Sequence, residues 1–402
     1  MTLTEVNYWT KRIGLIVIVA FLAFIPLRLV WAIIGAGGDG TRRPAELPYA
    51  SLGYGTLSAT TLISLPLPEN VTPEYQLETA AGEFPDVPQV VQVYKLPPKS
   101  QTLTTLDEAK LLSGKLKFIT EPTRNPNTSI YTWTDQAGRI LEYDVSVQNF
   151  VLKTEFSKDT FKGKKGALNL TQAKEKSLNF LKGLKLLSQD YVNGHQEAVY
   201  LKFGENGEYL LANSQSDSDV VRVDFYRDIQ LVQLTDSEKA TLEAYSKGDV
   251  KLDPKNLPEP VSTSIITEDV NKSNIYIIIR DSNLNKTGAI YEFGYTNWPI
   301  DTNKTETYYT KTPAEAWEDV KSGKAALRYL IHEDGEPYIE YEPRAVEQFL
   351  IYEITMVYME TKAPQEYLKP VYLIRGEARE PGDTGKPKLE FAFLTDAIKN
   401  YE

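Results

Sequence analysis

From residue 129 onward apolar and polar positions alternate, the period-two pattern of strands with one buried face. Runs rich in Tyr, Val, Ile and Thr predict strands over 129–134, 140–156, 198–203, 208–211 and 220–234. A second set is predicted over 274–280, 289–297, 325–332, 337–341, 345–361, 369–376 and 388–394. Helical signals are confined to four short stretches. Residues 105–113 open with Thr105 and place Glu108 three positions on, a capping box, with Gly114 as terminator. Residues 170–187 take Thr171 as cap and set Ala173, Leu178, Leu181 and Leu184 along one face. Residues 236–247 stop at Gly248. Residues 312–322 combine a Thr312 cap, Pro313 at the first helical position, Glu315 in the box position and Gly323 at the end.

One stretch has no period at all. Residues 13–34 are 22 residues, largely apolar, with a single charge, Arg28. At about 1.5 Å per residue such a helix spans a hydrocarbon core of roughly 30 Å. Lys11 and Arg12 precede it but Arg42 and Arg43 follow, so orientation rests on the short N-terminus and the long C-terminal part, which put the N-terminus in the cytoplasm and the remainder outside it. A cleaved signal peptide with 13–25 as its apolar stretch is the rival reading; no clear A-x-A site follows and the apolar run continues through Val30 and Trp31, so an uncleaved anchor is expected. Within it Pro26, Arg28 and Trp31 are the candidate partner-binding residues: a charge at membrane depth either snorkels beside Trp31 or pairs with a partner helix. Gly35, Gly37 and Gly40 satisfy G-x-G-x-x-G by count, but no strand precedes them and TRRPAELP follows, so they read as linker.

The resulting fold class is α+β: an N-terminal transmembrane helix, then two strand-rich antiparallel domains with short packed helices. The expected division is 1–12 cytoplasmic, 13–34 anchor, 35–98 linker and extended segment, 99–250 first domain, 251–264 linker and 265–402 second domain. The polar, three-proline stretch 248–264 marks the boundary, and the Thr-capped helices at 170 and 312 suggest an internal duplication.

Composition narrows the function classes. The 402 residues are 42% hydrophobic and 25% charged, which is globular, and the net charge of −11 argues against a nucleic-acid partner. There is no cysteine, so disulfides, thiolate metal sites and cysteine nucleophiles are excluded. The two histidines, His195 and His332, lie beside turn-forming residues and read as turn or surface positions. Asp281, Asn283, Asn285 and Glu292 mimic calcium-loop positions, but Lys286 stands where the loop needs Gly, and a hairpin turn is favoured. Asp217 and Asp219 read as a solvated loop. No G-x-S-x-G elbow or P-loop occurs, and neither catalytic residues nor a cofactor are expected. Six N-x-S/T sequons, from Asn70 to Asn303, matter only in a glycosylating host. The 25 tyrosines fall mostly in the predicted strands, where they suit a half-buried face.

The C-terminal part has a recognisable order: helix TPAEAWEDVKSGKAAL, strand AVEQFLIYEITMVYME, then YLKPVYLIRGEA and FAFLTDAI. Through Glu315, Ala316, Gly323, Lys324, Tyr358, Leu368, Pro370, Val371 and Tyr372 it resembles YycH/YycI-type regulators of two-component systems, and the helix–strand–strand unit looks PepSY-like. The resemblance covers residues 310–397 and implies a membrane-anchored, extracytoplasmic, non-enzymatic protein. It supplies no catalytic residue; its glycine ends a helix and its proline fits a strand edge. The expected function is binding of a partner protein, with regulation of a sensor kinase or another membrane complex through the anchor helix. The alternative is an extracytoplasmic module that binds a cell-envelope polymer or peptide on tyrosine-rich sheet faces.

Overall fold

The strand-forming runs gather into two nine-stranded sheets. The structure, a computed structural model, describes residues 50–399 apart from 69–71, 81, 160–166, 233–260, 281–288, 333, 334, 336, 339, 384 and 386. In chain order the elements are β1 (Glu74–Leu77), β2 (Val90–Lys95), α1 (Thr105–Lys115), β3 (Thr123–Arg124), β4 (Ile130–Thr134), β5 (Arg139–Asp144) and β6 (Asn149–Thr154). Next come α2 (Leu170–Leu184), α3 (Gln189–Asn193), β7 (Gln196–Phe203), β8 (Tyr209–Leu211), β9 (Val220–Phe225), β10 (Arg227–Gln230), β11 (Ser262–Thr267), β12 (Ile275–Ile279) and β13 (Ile290–Tyr295). The chain closes with β14 (Asp301–Tyr309), α4 (Pro313–Lys321), β15 (Ala326–His332), β16 (Gln348–Glu360), β17 (Tyr367–Arg379) and β18 (Leu389–Asp396).

The first sheet runs β10-β11-β16-β17-β18-β15, with β1 also on β16 and β2 joining β17 to β14. It is mixed, because β1 and β11 both lie parallel to β16. The second sheet is antiparallel throughout, in the order β3-β4-β5-β6-β13-β12-β9-β7-β8. Its period-two pattern sorts side chains cleanly. Ile275, Ile277, Val221, Val223 and Phe225 share a core with Trp133, Leu141, Phe150, Leu152 and Phe293, which Ala109 and Leu112 of α1 and Ala173 and Leu181 of α2 complete. Ile278, Val220, Leu201 and Tyr291 face the other way. Each fully buried Ile or Phe contributes roughly 1.5–3 kcal/mol of transfer free energy.

These sheets correct the expected fold class. Residues 49–402 form one unit, not two antiparallel domains. The β12–β13 hairpin, from the C-terminal half, sits in the middle of the second sheet between β6 and β9. Conversely β1, β2 and β10 are strands of the first sheet. Among the described residues no helix is long and apolar enough to cross a membrane. Residues 13–34, where that helix was expected, lie outside the described residues, as does the helix expected over 236–247.

Several boundaries moved for physical reasons. The single strand expected over 140–156 is a hairpin, turned at Gln148 with φ 55°. The run expected over 220–234 breaks at Tyr226, with β9 in one sheet and β10 in the other. α2 is capped by Asn169, whose side chain accepts from the Gln172 amide at 2.9 Å, so Thr171 is already inside the helix. At α1, Thr105 Oγ1 accepts from the amide of Thr102, and the expected box is not formed. α4 matches its sequence signals: Thr312 and Glu315 form the reciprocal capping box, and Gly323 follows at φ +72°. Pro370, expected at a strand edge, lies inside the first sheet opposite Tyr358. Ala397 N donates to its carbonyl at 3.3 Å, while Ala397 O is already taken by Lys311 N at 2.8 Å. The acceptor that an N–H at 370 would need is thus occupied, and proline leaves no donor stranded.

The extended segment before β1 is bound in place. Leu52 N donates to Thr307 O, Thr60 to both oxygens of Asp396, and Leu65 N to Leu327 O.

Candidate functional site

The residues singled out in the sequence do not converge. Pro26, Arg28 and Trp31 lie outside the described residues, as do Asp281, Asn283 and Asn285. Glu292 is on β13, where its two oxygens accept the hydroxyls of Tyr276 (2.5 Å) and Tyr209 (2.6 Å). Burial, with the Glu292 charge beside them, holds both phenols above their ordinary value. Asp219 is buried, not solvated, and accepts the Phe203 amide at 2.9 Å. Asp217, in its exposed loop, accepts Lys202 Nζ at 3.1 Å. His332 ends β15.

His195 meets Asp228 (Nδ1 to Oδ1, 3.2 Å) and stacks on Tyr226. Ser264 Oγ donates to that same Asp228 oxygen at 2.9 Å. A serine, a histidine and an aspartate therefore meet, but the serine is wired to the carboxylate, whereas a nucleophilic triad wires it to the imidazole. Among the described residues no three His, Asp or Glu side chains form a group that would hold a metal ion.

The tyrosines are mostly core. Tyr94, Tyr143, Tyr191, Tyr226, Tyr291, Tyr358 and Tyr372 are buried, and several hydroxyls are spent on main-chain carbonyls, such as Tyr358 on Gln92 O and Tyr372 on Lys311 O. Among the described tyrosines Tyr352 is the exposed one.

What does converge is found where the two sheets meet. Arg227 enters β10 just after the chain leaves the second sheet, and it is 2% exposed. Its guanidinium donates to Asp190 of α3 at 3.0 Å, to the Trp298 carbonyl at 2.9 Å and to the carboxylate of Glu360 at the end of β16, and it lies 4.9 Å from the Tyr191 ring centroid. Five fixed donors in one plane suit a residue that must tie four segments together.

Beside this hub lies a groove of about 420 Å³. Its walls are Leu96, Pro97 and Pro98 leaving β2, Val147 from the β5–β6 turn, Trp298 after β13, and Pro364 to Glu366 between β16 and β17. The walls are held: Trp298 Nε1 donates to Thr361 O at 2.7 Å, Leu96 N to Glu366 O at 2.9 Å, and Gln365 Oε1 accepts Thr361 N at 3.0 Å. Lys99 also lines it; its Nζ donates to Asn149 Oδ1 at 3.0 Å and sits 5.2 Å from the Trp298 ring centroid. Burial, then the Arg227 charge, lower this ammonium from 10.5 to about 8 against the opposing pull of Glu360. A larger cleft of about 540 Å³ near Arg328 and Tyr341 is less suited to a ligand. Its cations are already engaged: Arg328 on Glu268 O, Lys272 on Asp269 at 2.7 Å and Arg344 near Glu380 at 3.9 Å.

Neither Lys99 nor Trp298 belongs to a motif. The faint signal was compositional: a proline pair ending a strand run, and a lone Trp beside a proline.

Comparison with known proteins adds little. No family model matches the chain, and no curated protein does. Among solved structures, a crystal structure of an uncharacterized protein from Eubacterium rectale aligns with 14% identity and a TM-score of 0.38, covering 82% of this chain and 89% of the other.

Proposed function

We propose that this chain is a membrane-tethered, non-enzymatic protein whose strand-rich part lies outside the cytoplasm and binds a segment of a partner protein. The observation that carries the reading is the groove beside Arg227: concave, walled by three prolines, Leu96, Val147 and Trp298, and fixed by main-chain hydrogen bonds. Aromatic- and proline-lined grooves suit extended peptides, which lose little entropy on docking. The apolar sequence at 13–34 supports the tether, and the resemblance of residues 310–397 to YycH/YycI-type regulators supports a sensor kinase or other membrane protein as partner. The alternative, a polymer-binding tyrosine strip, draws no support from tyrosines that are buried and hydrogen-bonded.

The test compares three full-length forms in cross-linked native membranes: wild type, a form with residues 13–34 replaced by an unrelated apolar sequence, and Val147→Trp, which fills the groove. The reading expects the same partner with the first two and its loss with Val147→Trp. A partner lost only on replacing 13–34 would move recognition to that segment and overturn the groove reading.

A further inference from the structure

Lys99 is an unusual residue to leave in an apolar groove. An ammonium has three donors, and here one goes to Asn149 Oδ1 while the head rests over the Trp298 ring. Among the described residues no carboxylate lies within 4.0 Å of it. The acidic groups nearby are committed elsewhere: Glu360 and Asp190 bind Arg227, and Glu366, which is well exposed, stands 4.0 Å from Lys95. Arg227, itself a cation, repels it. Lysines without an anionic partner ordinarily snorkel into water. This one is held back against a tryptophan, with donors left to offer to a bound anion.

The groove also constrains what sort of chain brings that anion. Pro97, Pro98 and Pro364 present no N–H, and the neighbouring amides of Leu96 and Thr361 are already used within the walls. Three prolines and two spent amides leave a strand running straight through few donors to pair with. Buried side chains and one charge then carry the larger share of the affinity, which suits the end of a chain better than its middle.

We infer that Lys99 captures the free C-terminal carboxylate of an apolar peptide segment seated in this groove. The inference rests on the reading of the groove as a partner site and adds what the partner must carry. Lys95 and Glu366 then flank the segment, and the Trp298 ring forms its floor.

The test uses the purified full-length protein and calorimetric titration with an N-acetylated Leu-Pro-Leu peptide bearing a free C-terminus, the same peptide amidated, and hexanoate. A charge-assisted contact predicts that the free acid binds roughly ten- to a hundred-fold more tightly than the amide. That preference should survive Lys99→Arg, vanish in Lys99→Met, and decline as pH rises above about 8, where the free ammonium loses its proton. Equal binding of acid and amide, or a preference that persists in Lys99→Met, overturns the inference while leaving the groove as a peptide site. Hexanoate binding as tightly as the acid peptide would assign the site to free organic acids and overturn the peptide assignment. No binding of either peptide overturns both readings. Thermal unfolding of each variant, compared with wild type, separates lost binding from lost structure.

Discussion

Replacing Arg227 by Met should destabilise the protein by about 3–5 kcal/mol, the cost of removing one partner from a buried ion pair. The structure gives the reason for the upper part of that range. Glu360 is 4% exposed, so without the guanidinium its charge stays buried with no compensation. The Trp298 carbonyl loses the donor it has at 2.9 Å, a further unsatisfied group. Asp190, which is more exposed, can turn toward water and adds little. Glu360→Gln should cost less, about 1–3 kcal/mol, because the amide keeps an acceptor for Arg227 and Asp190 remains as counter-charge. The double variant Arg227→Met, Glu360→Leu removes both charges, and its cost should fall well below the sum of the two single changes. Urea unfolding of the full chain measures all four forms. Because the β12–β13 hairpin fills the middle of the second sheet, and β10 continues from β9 into the first, a single transition is expected for each form. A loss under about 1 kcal/mol for Arg227→Met, or additive single and double effects, would refute the hub.

Three further outcomes follow from the same geometry. Lys99→Met should stabilise the protein at neutral pH: a fall from 10.5 to about 8 corresponds to about 3.4 kcal/mol, which solvent screening of this partly exposed group reduces to about 1–2 kcal/mol. In the wild type, the unfolded chain holds the extra proton between pH 8 and 10.5, so this contribution makes stability rise with pH across that window and not in Lys99→Met. Gly294→Ala should cost several kcal/mol by denaturant titration, about 2–4, because a Cβ there would stand 2.2 Å from the Tyr276 ring and displace it from Glu292. Glu315→Ala should cost about 1 kcal/mol through loss of the α4 capping box. Hydrogen bonds from Lys399 and the Thr312 amide hold the Glu315 carboxyl below 4.5, so its contribution is present above that pH and lost on acidification; an unchanged acid limb in Glu315→Ala would count against this.

How far the fold was legible depends on where the information lay. α4 could be read because Thr312, Pro313, Glu315 and Gly323 each act within one turn of the helix. The long strands β16, β17 and β18 show themselves as long runs rich in apolar, β-branched and aromatic residues, buried on both faces over much of their length. β2 was hidden in a proline-rich stretch, although Val90, Val91, Val93 and Tyr94 form a short apolar run, and β14 was hidden by its polar composition. Both derive their place from pairing with each other and with β17, which no local pattern encodes. The break at Tyr226 was invisible for a similar reason: residues 220–230 look like one strand, and only the demand of Arg227 for Asp190 and Glu360, 37 and 133 positions away, shows why the chain changes sheets there. The groove draws on four separated segments, so its chemistry appears only once they are assembled.

The most direct test places a photo-crosslinking amino acid at exposed Pro97 on the groove wall and, as control, at exposed Glu205 on the β7–β8 turn, in the full-length protein within native membranes. After irradiation, the cross-linked peptide is mapped by mass spectrometry. The account predicts adducts from position 97 that map to one segment of one membrane-associated protein, with no counterpart from position 205. Adducts spread over many proteins, or the same adducts from both positions, would contradict it.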